Sequence, residues 1–348
     1  MPSVHLTQLR KWMMDSPPVE WGMRQLRELL LGALRQGPIP QHIAFVMDGN
    51  RRYARLHQIE TVEGHNLGFE ALAAILEVCY KTGVKVVTVY AFSIENFKRS
   101  KYEVDALMEM TRIKISQLSQ HGELLDRYGA CVRVIGRRDL LKPDVLEAID
   151  KAVDLTKDNN NCILNICFPY TSRDEITTAI RSTVEDYSKP TSAQSRPFSQ
   201  TRISQKIRLK NRITPIRSCS PTPSNKLSLD DSISSATTLN LESPPVEFDE
   251  NFGYPDPETI DAGVLENHMF TAGNPPLELL IRTSGVKRLS DFMLWQCHKN
   301  TKIVFLDCLW PQFDLWHFLP VLVEWQWNQK HLEQGSIVDA KPKMIKLR

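Results

Sequence analysis

At 348 residues the chain is long enough for one large or two modest domains, and 43 Lys and Arg against 41 Asp and Glu leave a net charge of only +2, which provides no global basic field for nucleic acid. Seven cysteines, at positions 79, 131, 162, 167, 219, 297 and 308, are odd in number and form no C-x-x-C pair; they fit a reducing compartment and argue against a disulfide framework or a zinc site. No run of about 18 apolar residues occurs, and the first residues lack the compact apolar core of a signal peptide, so no spanning segment is expected.

Residues 1–37 read as an amphipathic N-terminal region. From Trp21 to Gln36, Met23, Leu26, Leu29, Leu30, Ala33 and Leu34 fall on one helical face, and Arg24, Arg27, Glu28 and Arg35 on the other. Such a helix either lies on a bilayer or packs on its own domain or a partner. Gly37-Pro38-Ile39-Pro40 ends it. The chain is organised around the next stretch, His42 to Arg55. Ile43 to Met47 form the short apolar run of a strand buried on both faces, Asp48-Gly49-Asn50 is turn punctuation, and a helix can begin at Arg51 and Arg52. A carboxylate at the carboxyl end of a buried strand, followed by helix amides and two arginines, can hold a divalent cation and a phosphorylated ligand together. The alternative is a helix-capping aspartate with surface arginines.

Gly64-His65-Asn66-Leu67-Gly68 then opens a helix that carries Phe69, Leu72, Leu76, Cys79 and Tyr80 at helical spacing up to Gly83. Val84 to Phe92 is a strand. The polar loop Ser93-Ile94-Glu95-Asn96-Phe97-Lys98-Arg99 follows at its carboxyl end, the edge where open α/β sheets place ligands. Val104, Leu107, Met108, Thr111, Ile115 and Leu118 give the next helix one apolar face, either ordinary core or, for a lipid substrate, the wall of a tunnel. Cys131 to Gly136 is a strand, Pro143 to Lys157 a helix, and Cys162 to Phe168 a strand ending in Pro169-Tyr170-Thr171-Ser172-Arg173. This alternation predicts the α/β class, a mainly parallel sheet with helices on both faces. Neither G-x-G-x-x-G nor G-x-x-x-x-G-K-[ST] follows any strand, so phosphates must be held another way.

Residues 188–250 turn to Ser, Thr, Pro and Asn without periodicity and read as a disordered low-complexity insertion, basic in its first half and acidic in its second. It is either a regulatory or membrane-surface segment or a tolerated surface loop. The fold resumes at 251, with a strand Leu277 to Ile281, then Arg282-Thr283-Ser284-Gly285, Arg288, Ser290 and Asp291. A helix through Trp295 and a last strand Ile303 to Leu306 are expected before Leu309-Trp310-Pro311, and residues 331–348 form a C-terminal tail. Two arginines and two serines just past a buried strand form a second anion site, or else ion pairs within the fold. Two such sites at strand carboxyl ends of one sheet suggest an enzyme that handles two phosphorylated substrates.

In this order, MDGNRRYAR, EGHNLGF, VYAFSIENFKR, FPYTSR, LIRTSGVKRLSDFMLWQ and LWPQF resemble the successive motifs of the cis-prenyltransferases, the undecaprenyl diphosphate synthase-like family, and most closely its eukaryotic dehydrodolichyl diphosphate synthases. The resemblance covers about residues 38–187 and 258–325. It implies one catalytic domain, residues 38–187 and 251–330, with a six-stranded mainly parallel sheet flanked by helices and an apolar tunnel. The implied reaction is repeated cis addition of isopentenyl diphosphate to farnesyl diphosphate with Mg2+, giving a long-chain polyprenyl diphosphate for dolichol synthesis and protein glycosylation. Residue by residue, the resemblance assigns Asp48 to magnesium and the leaving diphosphate, and Gly49, Asn50, Arg51, Arg52 and Arg99 to the allylic diphosphate pocket. His65, Ser93 and Asn96 match polar groups beside the reacting centre, as proton acceptors or positioners, and Arg282, Arg288 and Ser290 match the binding set for isopentenyl diphosphate.

Three positions depart from the bacterial single-subunit pattern. Thr61 stands where those enzymes have an arginine, Lys302 where they have a metal-binding glutamate given to the neighbouring subunit, and no Arg-x-Gly follows Leu322. The implied remedy is an accessory subunit of the same fold that supplies the Arg-x-Gly, in a heterodimer held peripherally at the cytosolic face of the endoplasmic reticulum membrane. A non-catalytic scaffold subunit of such a complex is the rival reading; it predicts loss of Asp48 and of the Arg282 to Ser290 set, and all are present. A phosphatase or glycosyltransferase built on Asp48 would want a second nearby aspartate, as in D-x-D, and there is none.

Overall fold

The structure, a computed structural model, describes residues 17–118, 124–189, 191–192 and 252–335. The insertion expected over 188–250 and the tail beyond 335 therefore fall almost wholly outside the described residues. The chain divides into two compact units, Met1–Ser182 with Ala262–Arg348, and Thr183–Asp261. In the smaller one, Thr191–Ser192 pairs antiparallel with Phe252–Gly253, and the Tyr187 hydroxyl lies 3.1 Å from Thr259 Oγ1.

The larger unit is built on a six-stranded sheet in the order β3-β4-β2-β1-β5-β6, with every pair parallel. Its strands are β1 (His42–Val46), β2 (Val86–Tyr90), β3 (Ala130–Ile135), β4 (Cys162–Cys167), β5 (Leu279–Arg282) and β6 (Lys302–Phe305). The helices are α1 (Pro17–Leu34), α2 (Asn50–Leu56), α3 (Thr61–Thr82), α4 (Lys101–Leu118), α5 (Leu124–Tyr128), α6 (Pro143–Thr156), α7 (Ser172–Ser188), α8 (Ala262–His268) and α9 (Leu315–Gly335). Strand β1 lies between β2, in register His42 to Val86, and β5, in register Ile43 to Leu279. Burial on both faces is why it reads as an unbroken apolar run. Ile43 and Phe45 point into one core layer, where the Phe45 ring centroid lies 5.9 Å from Trp310 and 5.7 Å from Phe318; Ala44 and Val46 point into the other, with Leu280, Phe292 and Met293.

The chain leaves β1 toward β2 and the far edge, then returns to β5 on the other side of β1. The carboxyl ends of β1, β2 and β5 therefore meet at a topological switch point, where open α/β sheets form their ligand crevice.

Two sequence expectations change. The helix expected through Trp295 is replaced by bends and a single turn, closed by Cys297 N–H to Met293 O at 3.0 Å. Ser290, Asp291 and Met293 adopt φ of 52°, 61° and 47°, a left-handed geometry that interrupts any α-helix. The buried stripe of α1 is also rotated from the one read in the sequence. Leu31 and Leu34 are buried while Trp21 and Leu29 are 66% and 68% exposed. Ion pairs from Arg27 to Glu77 (3.4 Å) and from Lys81 to Glu28 (2.6 Å) tie that face of α1 to α3. Among the described residues no helix is long and apolar enough to cross a membrane.

Candidate active site

Each of the three central strands delivers a charged or polar group into one cavity of about 680 Å³. Asp48 follows β1, the Ser93 to Arg99 loop follows β2, and Arg282 ends β5. The turn after β1 needs Gly49, whose φ is 117° and whose missing Cβ would come within 3.0 Å of Leu309. Trp310 N–H (3.1 Å) and the Thr283 hydroxyl (2.7 Å) donate to the Asp48 carbonyl, so the aspartate's backbone is fixed from two directions.

Arg282 is 3% exposed and serves as the hub. Its Nη2 donates to Asp48 Oδ2 at 2.8 Å, and its Nη1 donates to both the Arg288 carbonyl and Ser290 Oγ at 2.6 Å. Arg288 Nε donates to the same Ser290 oxygen at 3.1 Å. With two donors already on it, the Ser290 oxygen leaves its own O–H to point at a ligand acceptor. Arg52 lies 3.4 Å from Asp48 Oδ2 and donates to the Ser284 carbonyl at 3.0 Å. Burial pushes the Asp48 carboxyl up, but the nearby Ser284 hydroxyl, Arg282 and Arg52 outweigh it and hold the group below the usual carboxylate range. The Ser284 hydroxyl itself has no hydrogen-bond partner of full geometry, so we ascribe the effect chiefly to the guanidinium groups.

Across the cavity Asn50 Nδ2 lies 3.3 Å from His65 Nδ1, and both Asn50 Oδ1 and His65 Nε2 are buried without a partner. Burial, joined by the charges of Arg99 and Arg51 and opposed by Glu103, pushes His65 down to about 4, so its imidazole is neutral at pH 7. Glu103 gathers these cations, with Arg99 Nη1 at 2.9 Å and Arg51 Nε at 3.9 Å. Asn96 Oδ1 accepts from the Ser93 amide at 2.7 Å and Ser93 Oγ from the Glu95 amide at 3.2 Å, a reciprocal cap on the short 3-10 helix Ile94–Lys98.

The structure thus brings Asp48, Asn50, Arg51, His65, Ser93, Asn96, Arg99, Arg282, Arg288 and Ser290 to one cavity. Gly49 and Arg52 stand just behind it, as turn and as counter-ion. Thr61 is exposed at the start of α3, and Lys302 pairs with Glu324 at 2.8 Å. Much of the remaining wall is apolar: Phe69 and Leu72 from α3, Leu107, Met110 and Ile115 from α4, and Ile166 and Phe168 at the end of β4. Two cations there were not singled out in the sequence. Arg173 opens α7, and Lys114 sits on α4 with its Nζ 5.0 Å from the Phe69 ring centroid. Arg173 stood within a quoted motif; Lys114 carried no signal beyond its place on a cavity-facing helix.

The family described as "Putative undecaprenyl diphosphate synthase" matches residues 46–333, more than three quarters of the chain. The chain belongs to this prenyltransferase family. A dehydrodolichyl diphosphate synthase complex subunit of Schizosaccharomyces pombe is 43% identical over 318 residues, covering 91% of this chain and 97% of that one. The human dehydrodolichyl diphosphate synthase complex subunit is 37% identical over 308 residues, 88% of this chain and 73% of its own. Lavandulyl diphosphate synthase from Lavandula x intermedia, solved in complex with dimethylallyl diphosphate, shares the fold with a TM-score of 0.57 at 23% identity, over 83% of this chain and 95% of that one. The relatives are named as synthases of prenyl diphosphates, and the cavity of this prenyltransferase divides into a cationic end and an apolar end.

Proposed function

We propose that this chain is the catalytic, chain-elongating cis-prenyltransferase that condenses isopentenyl diphosphate onto farnesyl diphosphate to make a dehydrodolichyl diphosphate for dolichol synthesis and protein glycosylation. The observation that carries this reading is the single cavity that joins Asp48 and several arginines to an apolar wall, the shape of a diphosphate with a hydrocarbon tail. Arg282, Arg288 and Ser290 hold the diphosphate of isopentenyl diphosphate. Asn50, Arg51 and Arg99 hold the allylic diphosphate, and its tail lies along Phe69, Leu72 and Leu107.

In each cycle the allylic C–O bond breaks and its electron pair leaves with the diphosphate. The alkene of isopentenyl diphosphate attacks the freed carbon, and a proton is lost from the carbon next to the new cation. Cations fixed before the substrates arrive neutralise the charge that develops on the leaving oxygen at no reorganisation cost. Holding both substrates in one cavity supplies the orientation. His65, kept neutral with its Nδ1 accepting from Asn50, carries its proton on the buried Nε2 and offers an N–H to phosphate, while the released diphosphate takes the departing proton; Ser93 and Asn96 position the reacting ends.

Magnesium fits the donor set in one particular way. Among the described residues no three His, Cys, Asp or Glu side chains converge as a protein-only cage. Mg2+ commonly takes one or two carboxylates plus substrate phosphates, and Asp48, ionised and 36% exposed in its side chain, suits that mode. Bound there, the ion would supply Lewis-acid neutralisation of the leaving diphosphate.

We assign the complex to the cytosolic face of the endoplasmic reticulum, with an accessory subunit that supplies an Arg-x-Gly. The relatives named as complex subunits support a partner, and the exposed Trp21 and Leu29 support peripheral membrane contact. The deciding experiment incubates the purified protein, alone and with a candidate partner, with farnesyl diphosphate, radiolabelled isopentenyl diphosphate and Mg2+. The expected result is a labelled long-chain polyprenyl diphosphate. No incorporation in either preparation would refute the reading.

A further inference from the structure

The loop that presents Arg288 and Ser290 is held at the rim of the cavity, at the residue after Ser290. Asp291 sits with φ of 61°, its side chain 15% exposed, against the first turn of the 17-residue helix α7. Its Oδ1 accepts from the Arg173 amide at 3.0 Å and its Oδ2 from Arg173 Nε at 2.7 Å, while its backbone carbonyl accepts from the Ser172 amide at 2.7 Å. Ser172, fully buried, returns the contact by accepting from the Leu294 amide at 2.9 Å. A carboxylate on the first amides of a helix satisfies donors that the helix itself cannot, and it is favoured by the helix dipole. Ser290 and Arg288 are thereby fixed to the sheet through α7 as well as through β5.

We propose that Asp291 is a positioning residue for isopentenyl diphosphate: its latch onto Ser172 and Arg173 holds Ser290, Arg288 and Arg282 in the one arrangement that fits a diphosphate. Four residues of the loop have positive φ without being glycine, namely Ser284, Ser290, Asp291 and Met293. Each such residue is costly in isolation, so the loop keeps this shape only because its surroundings over-determine it. Its anchors include the Asp291 latch, Arg282 of β5 on the Arg288 carbonyl and Ser290 hydroxyl, and β2, where the Tyr90 hydroxyl donates to the Ser290 carbonyl at 3.3 Å and the Tyr90 ring stacks on Phe292 at 4.6 Å. Releasing the Asp291 carboxylate frees the half of the loop that carries Ser290, while the allylic side, built on α2, α3 and the loop after β2, keeps its own contacts, including that of Arg173 with Glu95 at 3.8 Å.

This inference rests on the proposed reaction, and its test separates the two. Asn at position 291 tolerates a left-handed backbone and keeps one acceptor for the Arg173 amide; Gly tolerates that backbone and removes both acceptors. Alanine would confound the lost carboxylate with backbone strain. Steady-state kinetics of the full-length protein with its accessory subunit are measured while each substrate is varied in turn. Asp291→Gly should raise the KM for isopentenyl diphosphate roughly tenfold and Asp291→Asn about threefold, with the KM for farnesyl diphosphate within about twofold of wild type in both. Arg173→Ala, which retains the amide, should match the Asn variant. Calorimetric binding of isopentenyl diphosphate alone should weaken by the same factors, and this readout needs no turnover. An Asp291→Gly protein that binds isopentenyl diphosphate normally would overturn the proposal. So would an equal rise of both KM values, or an Arg173→Ala defect larger than that of Asp291→Gly, which would make Arg173 a direct phosphate ligand. A wild-type protein that binds isopentenyl diphosphate but never condenses it would refute the proposed reaction and leave the latch to be judged by binding.

Discussion

Asp48 carries two functions at once, and they respond differently to substitution. It faces the cavity as an ionised carboxylate, and it is the counter-ion of Arg282, which is only 3% exposed. The sequence suggests the first, because an acid directly after an apolar run lies at a strand end, with a helix-capping aspartate as the alternative. It does not show the second, since Arg282 is 234 residues away. Replacing Asp48 by Asn keeps the shape and removes the charge, so turnover should fall by about 10²-fold or more. Breaking a buried pair usually costs about 3 to 5 kcal/mol, and with Asp48 one-third exposed about 1 to 3 kcal/mol is expected here. Adding Arg282→Met should restore part of the stability without any activity, because the uncompensated cation is then gone. Turnover and urea midpoints of the three variants check both halves; near-normal turnover of Asp48→Asn would remove Asp48 from the chemistry. Most site residues were legible for the same reason as Asp48. Arg173 was not singled out, because its meaning comes from Asp291, which is 118 residues distant.

Elements were read best where burial is complete. All five residues of β1 are buried, so its apolar run could not be mistaken. The segment after β5 was misread as helix because residues 291–295 look apolar and regular, whereas their conformation is imposed by the latch on α7 and by positive φ values that no periodicity encodes. The stripe of α1 was misphased because ion pairs to α3, as well as its leucines, choose the packed face. In the sequence the Gly64 and Gly68 pair marks a helix opening, and in the structure the two residues are one turn apart and face α2. A Cβ on Gly64 would meet the Asn50 carbonyl at 2.7 Å and the Ala54 Cβ at 2.9 Å, and one on Gly68 would meet Asn50 Oδ1 at 2.5 Å. Glycine to alanine inside a helix ordinarily stabilises by about 1 kcal/mol. Here Gly64→Ala should instead destabilise by about 1 to 3 kcal/mol, because the backbone of α2 has to move. Gly68→Ala should mainly displace the Asn50 side chain and raise the KM for farnesyl diphosphate. Thermal melts and substrate titrations separate the two; a stabilised Gly64→Ala would mean that α2 is free to shift.

At the scale of the molecule, one buried and one half-buried histidine tie stability to pH. His42 Nδ1 donates to the Pro275 carbonyl (3.0 Å) and its Nε2 lies 2.7 Å from Thr88 Oγ1, which also accepts from Asn165, so a polar chain crosses β1, β2 and β4. Burial lowers His42 to about 4, and His65 likewise to about 4. A histidine that is depressed in the folded state contributes stability above its unfolded value near 6.5, and that stability is lost as pH falls through 6.5 toward 4. Over this window each should cost up to about 1.4 kcal/mol per pH unit, and Asp48, also depressed, adds its loss only below the usual carboxylate range. Urea midpoints should therefore fall from about pH 7 to about pH 5, with a shallower slope in a His42→Gln protein that still folds. An unchanged slope would show that His42 binds protons equally in the folded and unfolded chain.

The same scale decides whether the site is complete within one chain. The relatives from fission yeast and human are named as subunits of a complex, and this chain leaves large apolar side chains exposed beside edge strand β6, with Ile303 at 37% and Val323 and Trp327 of α9 at 50% and 64%. An edge strand with such neighbours is a surface that another subunit of the same fold can cover. Lys302 opens β6, where the resemblance to the bacterial enzymes implies a metal-binding glutamate given to the neighbouring subunit, and it is engaged by Glu324 at 2.8 Å. A second copy of this chain would therefore offer its neighbour's cavity no acid from this position. If the accessory subunit supplies one charged contact to substrate phosphate, worth about 1.5 to 3 kcal/mol, co-purification with it should raise specific activity by about 10- to 150-fold over the chain alone. Placing a charge at the apolar face, as in Trp327→Glu, should abolish the stimulation while leaving the weak activity of the isolated chain. Full activity of the isolated chain, or stimulation that survives Trp327→Glu, would mean that the cations already lining the cavity suffice or that the partner docks elsewhere.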